Sequence, residues 1–406
     1  MPYNPGTVDF MAAQDFMAVE NKTATAAADM KDPFGAPHHI LVNRALAEFR
    51  AGRPIVIAGA GEPLITFPVE HLDDRRWAGF ARFCAPASPF LVVTQQRSRV
   101  LGLAGPVALR LAPGLTTEQI LSLATDAKID LHLDSEPLDG GPFAAAATAA
   151  IALAKMAPSL PAVLAASMPA GRAFGAGTPM VSVPVEAIDE FRGGLLASLK
   201  LTAQSDIPLQ GGISARFAVF TDMLGSSQIA VIVGKPNFAE TVPVRLHSAC
   251  LTGDVFASGR CDCGDQLRLA LVRLRKAGGG IILYLAQEGR GLGLANKMRA
   301  YRLQDAGLDT VDANTTLGFE HDERDYLVAA RILKILGCNR VLLMSNNPAK
   351  ISGLSDAGIE IAGTIPLVTP VTPHNRRYLA AKAVRAGHRL GELTKDLVED
   401  GARKSR

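Results

Sequence analysis

From position 39 onward, apolar residues fall into short periodic blocks punctuated by glycine and proline. Val42, Ala45, Leu46 and Phe49 recur at the interval of one helix face, and residues 54–58 read as a buried strand stopped by Gly59 and Gly61. Residues 90–94 predict a second strand. The alanine-rich stretch 143–156 predicts a helix, because alanine gives up no side-chain entropy there. Residues 193–208 read as the passage between two domains, and beyond them strands and helices alternate. Strands are expected at 229–233, 242–246, 281–285 and 341–344, and helices at 265–276, 294–304 and 322–336, the last two closed by Gly307 and Gly337. Leu267, Leu271 and Leu274 share one face of the first of these helices. That alternation predicts an α/β domain. By contrast, the first 40 residues lack periodicity, carry Pro33, Gly35 and Pro37 near their end, and predict a flexible arm.

Length sharpens this picture, since 406 residues exceed the ~250 at which single cores stop growing. The expected division is an arm over 1–40, domains over 41–205 and 206–395, and a charged tail over 396–406. A chain 48% hydrophobic and 20% charged is an ordinary globular composition. The net charge of +3 leaves no global footprint for nucleic acid or an anionic membrane and favours a small anionic ligand. With neither a leader pattern nor an apolar run of ~20 residues, a cytoplasmic protein with no nucleic-acid or membrane partner is expected.

Candidate chemistry comes from the cysteines. Cys84 and Cys338 stand alone in apolar surroundings and read as inert buried thiols. Cys250, Cys261 and Cys263 are close enough to converge on one Zn²⁺, and three protein ligands leave a fourth tetrahedral position for water. Zinc in such a site lowers the pKa of water toward ~7 and supplies a nucleophile at neutral pH. Spacing alone leaves two other readings open: a structural zinc with a fourth ligand such as His247, or unligated thiols.

The segment 244–267 around these cysteines resembles the zinc signature of GTP cyclohydrolase II. The likeness continues through Gln287-Glu-Gly-Arg-Gly-Leu-Gly-Leu294, residues 296–305, 309–314, Leu317-Gly318, Asp322-Glu-Arg324, Asn346-Asn-Pro348 with Lys350, and Gly387-His388. The family hydrolyses the imidazole ring of GTP at C8 and releases formate, with a separate release of pyrophosphate, at the start of riboflavin biosynthesis. The resemblance implies Cys250, Cys261 and Cys263 as zinc ligands, Asp322 as proton acceptor, Arg324 as the group set against the α-phosphate and Tyr301 beside the reacting ring. It further implies Arg245, His247, Ser248, Gln266, Glu288, Gly289, Arg290, Thr310, Ser345 and Lys350 as nucleotide-binding positions, Mg²⁺ accompanying the triphosphate, and a homodimer.

Residue chemistry agrees with those roles without requiring them. Arg245, Arg290, Arg324 and Lys350 supply the positive charge that a triphosphate demands, although any one of them could equally be a solvated surface charge. Asp322 at the head of a predicted helix is also a natural N-cap, and Tyr301 could be helix core. Glu288 follows a strand, where α/β sheets bind ligands, and its carboxylate could accept from an N–H edge such as that of guanine. The glycines at 289, 291 and 293 permit close backbone approach but are weak evidence alone.

Two positions depart from the family pattern. Ala249 stands where a glutamate is usual before the first zinc cysteine, and Ala286 where an arginine is usual before Gln287; Ser345 for threonine is a smaller change. Loss of an acid and a base together is what a dismantled ion pair would leave, since losing one alone would strand its partner at several kcal/mol. The departures admit a second reading, a paralogue opening another heterocycle such as uracil in pyrimidine catabolism. A third, of another class, is a nucleotide-binding regulatory protein without turnover.

The N-terminal half resembles 3,4-dihydroxy-2-butanone 4-phosphate synthase through residues 45–54, 151–155 and Gly177-Thr178. That family's acidic metal-binding run is replaced by residues 58–67, with few acids, and its His-Thr-Glu by alanines near 144–150, so no Mg²⁺ site is expected there. The expected architecture is thus a GTP cyclohydrolase II-like α/β domain preceded by a degenerate, inactive α+β domain.

Overall fold

The computed structural model describes residues 35–59, 61–129, 132, 134–137, 141, 143–168, 180–372 and 375. Most of the expected N-terminal arm, the pair Gly177-Thr178, the pair Gly387-His388 and the tail 396–406 lie outside the described residues. Those from 38 onward belong to one compact unit.

Two seven-stranded sheets organise it. The first contains β1 (Ile55–Ala58), β2 (Leu64–Pro68), β3 (Phe90–Val93), β4 (Val107–Arg110), β5 (Asp134–Pro137), β6 (Ala162–Ser167) and β7 (Ser182–Pro184), in the order β5-β4-β3-β6-β2-β1-β7. Its pairs are antiparallel apart from β1 with β7. The alanine-rich helix forms over Ala144–Met156, and Ala146, Ala147, Ala150 and Leu153 are buried together with Val42, Leu46 and Phe49 of the helix Pro37–Arg50.

The second sheet contains β8 (Lys200–Leu209), β9 (Ile213–Thr221), β10 (Ser227–Gly234), β11 (Val242–Ser248), β12 (Gly279–Leu285), β13 (Arg340–Met344) and β14 (Glu360–Ile365), in the order β14-β13-β11-β12-β10-β9-β8. Strands β14, β13, β11 and β12 run parallel, and β10, β9 and β8 continue antiparallel. Ile281, Leu283 and Leu285 point to one face and bury against Val244, Leu246, Leu333 and Leu343, while Ile282 on the other face meets Leu274. This is the expected mixture of strands and helices in both halves, with the buried β11–β13 core reading as near-continuous apolar runs.

Residues 193–208 fall mostly in the helix Val185–Ala197 and in β8. One local expectation is corrected. The last helix before β13 spans Leu327–Ile335, not 322–336, so Asp322 is not its N-cap. The carboxylate of Asp322 instead accepts from Arg324 N at 3.1 Å and from the Arg324 guanidinium, and Asp325 accepts from Leu327 N at 2.8 Å. Those local side-chain bonds satisfy backbone donors in a loop conformation and delay the helix.

Candidate active site

Parallel strands aim their carboxyl ends at a common edge, and there the sequence places Ser248 at the end of β11 and Cys250 just after it, Glu288 after β12 and Ser345 after β13. A cavity of about 1110 Å³, open to solvent, lies at that edge. Every residue chosen from the sequence lines it except Asp322, which reaches it through Arg324. Ala249, Lys297 and Asn314 line it as well.

Three sulfurs form the floor of the chemistry. Cys250, Cys261 and Cys263 bring their Sγ atoms within 4.8 Å of one another, and Cys250 Sγ to Cys261 Sγ is 3.7 Å. A tetrahedral ion with bonds of ~2.3 Å holds its sulfurs ~3.8 Å apart, which the Cys250–Cys261 separation matches and which the trio as a whole approaches. Backbone shape protects this fit: a Cβ on Gly253 would come within 2.8 Å of Cys261 Sγ and 3.1 Å of Cys250 Sγ. Cys84 and Cys338 are buried elsewhere, as expected. His247 is not part of the metal-sized group found among the described residues. Its Nε2 lies 3.1 Å and 3.2 Å from the two carboxylate oxygens of Asp254.

The electrostatics around the sulfurs are graded. Hydrogen bonds from Cys261 and Cys263, then the charge of Lys297, hold Cys250 well below the ordinary thiol range against the opposing effect of burial. Cys261, donating to Cys250, is pushed up. Lys297 Nζ sits 3.2 Å from Cys250 Sγ, 3.0 Å from Thr252 Oγ1 and 2.9 Å from Glu288 Oε1. Sequence reasoning took Lys297 only as part of a motif and missed its contact with Cys250 Sγ; its one signal was a lysine four residues before Tyr301 on the same helix. Asp254 was missed too, although it gathers His247, the Tyr284 hydroxyl at 2.9 Å and the Cys250 backbone N–H at 2.9 Å.

The polar wall is partly self-satisfied and partly unpaired. Both Glu288 oxygens have protein donors, Lys297 on Oε1 and Leu251 N on Oε2 at 2.7 Å. Gln266 bridges Arg245 and Asp262, at 2.5 Å to each. Lys350 donates to Leu246 O at 2.6 Å. Burial pulls the Arg245 guanidinium down to about 10, and burial likewise lowers His247 despite its aspartate partner. Yet Arg245 Nε, His247 Nδ1, Ser248 Oγ and Asn314 Nδ2 are buried without a hydrogen-bond partner among the described residues. Native proteins leave few such groups, so four on one cavity point to a polar ligand that completes them.

Tyr301, on the helix Leu294–Asp305, lines the cavity with the Arg260 guanidinium 4.3 Å from its ring centroid, and burial raises its pKa. Arg324 and Asp322 are paired, the Arg324 Nε donating to Asp322 Oδ1 at 2.7 Å. Burial works against the Asp322 carboxylate, but Arg324 outweighs it and leaves that pKa below the usual value. Arg290 adopts a left-handed backbone at φ 61° beside Gly289 at φ 64°, an uncommon conformation for a residue with a side chain that turns the loop sharply after β12.

The departures from the expected pattern also acquire a geometry. Ser248 and Leu285 are register partners on parallel strands, and Ala249 N donates to Leu285 O at 2.8 Å. Ala249 and Ala286 therefore follow side by side, at the ends of β11 and β12.

Comparisons with known proteins cover the region that carries this cavity. A model of the GTP cyclohydrolase II family matches residues 200–366. The GTP cyclohydrolase-2 of Azospirillum brasilense is 40% identical over 362 residues, covering 86% of this chain and 93% of that protein. In Azotobacter vinelandii the similarity to a GTP cyclohydrolase-2 is 46% over 202 residues, half of this chain but 97% of the relative. The riboflavin biosynthesis protein RibBA of Thermotoga maritima matches at 48% over 199 residues, half of each chain. With a relative of this identity aligned over nearly its whole length, the chain belongs to the GTP cyclohydrolase II family.

Proposed function

We propose that this protein is a zinc-dependent hydrolase that opens the imidazole ring of GTP, with release of formate and pyrophosphate, at the first step of riboflavin biosynthesis. The observation that carries this reading is one cavity that joins a zinc-sized sulfur trio to buried, unsatisfied polar atoms on Arg245, His247, Ser248 and Asn314. Cys250, Cys261 and Cys263 would hold the ion, which supplies Lewis acidity and an activated water at neutral pH. Arg245, Arg290, Arg324 and Lys350 give the cationic wall that a triphosphate needs, with Mg²⁺ as the expected companion of its phosphates. Arg324 is the group set against the α-phosphate. Asp322, ionised and hydrogen-bonded to Arg324, is suited to accept a proton rather than donate one. Tyr301 closes the cavity beside the ring to be opened.

The setting we propose is cytoplasmic and homodimeric; no helix among the described residues is long and apolar enough to cross a membrane. The N-terminal half, similar to butanone-phosphate synthase but without its acidic run, carries no turnover of its own in this reading. We take the two domains as 41–205 and 206–395.

A second reading draws on Ala249. It lines the cavity as a methyl group where the family usually has a carboxylate, which would suit another heterocycle such as uracil. One assay separates the readings: zinc-loaded protein with GTP, formate and pyrophosphate measured, beside a Cys261→Ser control. Zinc-dependent release of both products, with formate release lost in the control, is the expected outcome. A folded, zinc-replete protein that releases neither rejects GTP and leaves uracil, or binding without turnover, to be assayed next.

A further inference from the structure

The loop that carries Asp322 and Arg324 joins the helix Thr310–Thr316 to the helix Leu327–Ile335, and its supports come from the other half of the chain. Thr94 Oγ1 donates to Gly318 O at 2.7 Å. The buried Arg97 donates to Thr316 O at 2.7 Å while its other nitrogens hold Leu123 O at 2.7 Å and Ser122 O at 3.0 Å. Gln96 is hydrogen-bonded to the side chain of Glu320. Lys155, from the alanine-rich helix, forms a 2.6 Å ion pair with Glu323, the residue between Asp322 and Arg324. Glu323 is in turn tied into the site: its N–H donates to Arg290 O at 3.1 Å, and its carboxylate accepts from Glu320 N at 2.8 Å.

The packing agrees with the bonds. Leu91 and Leu164 of the first sheet share one buried cluster with Leu292, Ala300, Leu317 and Phe319. The Tyr301 helix is held from the same side, by Asn296 donating to Pro158 O at 3.3 Å and Arg299 to Glu70 at 3.1 Å. An apolar seam crossed by charged bonds at chosen points fixes register as well as position, because burying unpaired carbonyls or charges elsewhere would be costly.

We propose that the N-terminal half acts as a positioning scaffold for the hydrolase site, with Lys155 as a positioning residue that fixes the Asp322–Arg324 loop through Glu323. This rests on the cyclohydrolase reading for its kinetic consequence but not for its structural one. The Lys155 side chain is 28% exposed and that of Glu323 17%, so the pair is shielded enough to resist salt screening better than a surface bridge. Holding a reacting group in place is worth large factors in rate, and a displacement of about 1 Å can lower turnover by up to ~100-fold.

The test uses the full-length zinc-loaded protein as wild type, Lys155→Met, Lys155→Arg and Glu323→Gln, with steady-state kinetics on GTP and amide hydrogen exchange over residues 317–325. Lys155→Met and Glu323→Gln should lower kcat about tenfold with KM within about twofold. Their loop amides should exchange about tenfold faster at unchanged zinc content. Lys155→Arg, which keeps the charge, should recover most of both. A wild-type kcat in Lys155→Met, or loop exchange identical to wild type, overturns the proposal. If the wild type itself does not turn over GTP, the cyclohydrolase reading fails, and the exchange data alone decide whether Lys155 anchors the loop.

Discussion

The ammonium of Lys297 stands between the Cys250 thiolate, at 3.2 Å, and the Glu288 carboxylate, at 2.9 Å. It thereby links a sulfur of the cysteine trio to the one acidic side chain on the loop after β12. Donors to a metal-bound ligand tune its charge and orientation, and their removal typically weakens metal affinity 10–100-fold. Only 9% of the Lys297 side chain and 16% of that of Glu288 is exposed, so neither charge can be replaced by water at no expense.

Lys297→Met should therefore weaken zinc binding by about tenfold in a chelator competition at neutral pH. It should also destabilise the fold by roughly 2 kcal/mol, because the largely buried Glu288 carboxylate loses its cationic partner and keeps only backbone N–H donors. Zinc affinity unchanged from wild type would show that the ammonium serves Glu288 alone.

Ala249 and Ala286 sit side by side at the ends of parallel strands. Installing the charges that the family usually carries, as Ala249→Glu and Ala286→Arg, should destabilise little or moderately one at a time. The double variant should be more stable than the sum of the two by about 1 kcal/mol, as read by a double-mutant cycle in urea. A coupling energy of zero would mean that the two positions do not face each other closely enough to have ever formed a pair.

Burial lowers the His247 pKa below its ordinary value in spite of the Asp254 partner. Near pH 7.5 the imidazole is neutral in both folded and unfolded chains and contributes no pH dependence. As pH falls below about 6.5, the unfolded chain takes up a proton that the folded chain refuses, so stability is lost through that window. Urea titrations at pH 7.5 and 5 should show the stability advantage of wild type over His247→Asn shrinking toward the acid end. Parallel pH dependence in the two proteins would exclude His247 as its source.

Much of the second half was legible because its chemistry is local. The short spacing of Cys250, Cys261 and Cys263 confines them to one turn and the start of one helix, so their convergence follows from chain geometry. The strands at β10 to β13 are apolar runs that only a buried sheet accommodates, and the cavity lies where such a sheet ends. The start of the helix at Leu327 was not legible. Whether an Asp before a helical pattern caps it or forms a loop bond depends on competing partners, and here the Arg324 guanidinium wins.

The sequence by itself determined the candidate cysteine trio, the cationic residues gathered on the cavity and the family to which the chain belongs. All are matters of residue identity at short spacing, which survive as text. Only the tertiary structure decided that Lys297 and Asp254 serve the cysteine site, that Ala249 and Ala286 are neighbours, and that Lys155 reaches Glu323. These relationships join residues on different strands and helices, and in one case 168 positions apart. No periodicity along the chain encodes them, because they arise from how separate elements share a buried surface, where each polar group must find its partner from whatever the fold brings near.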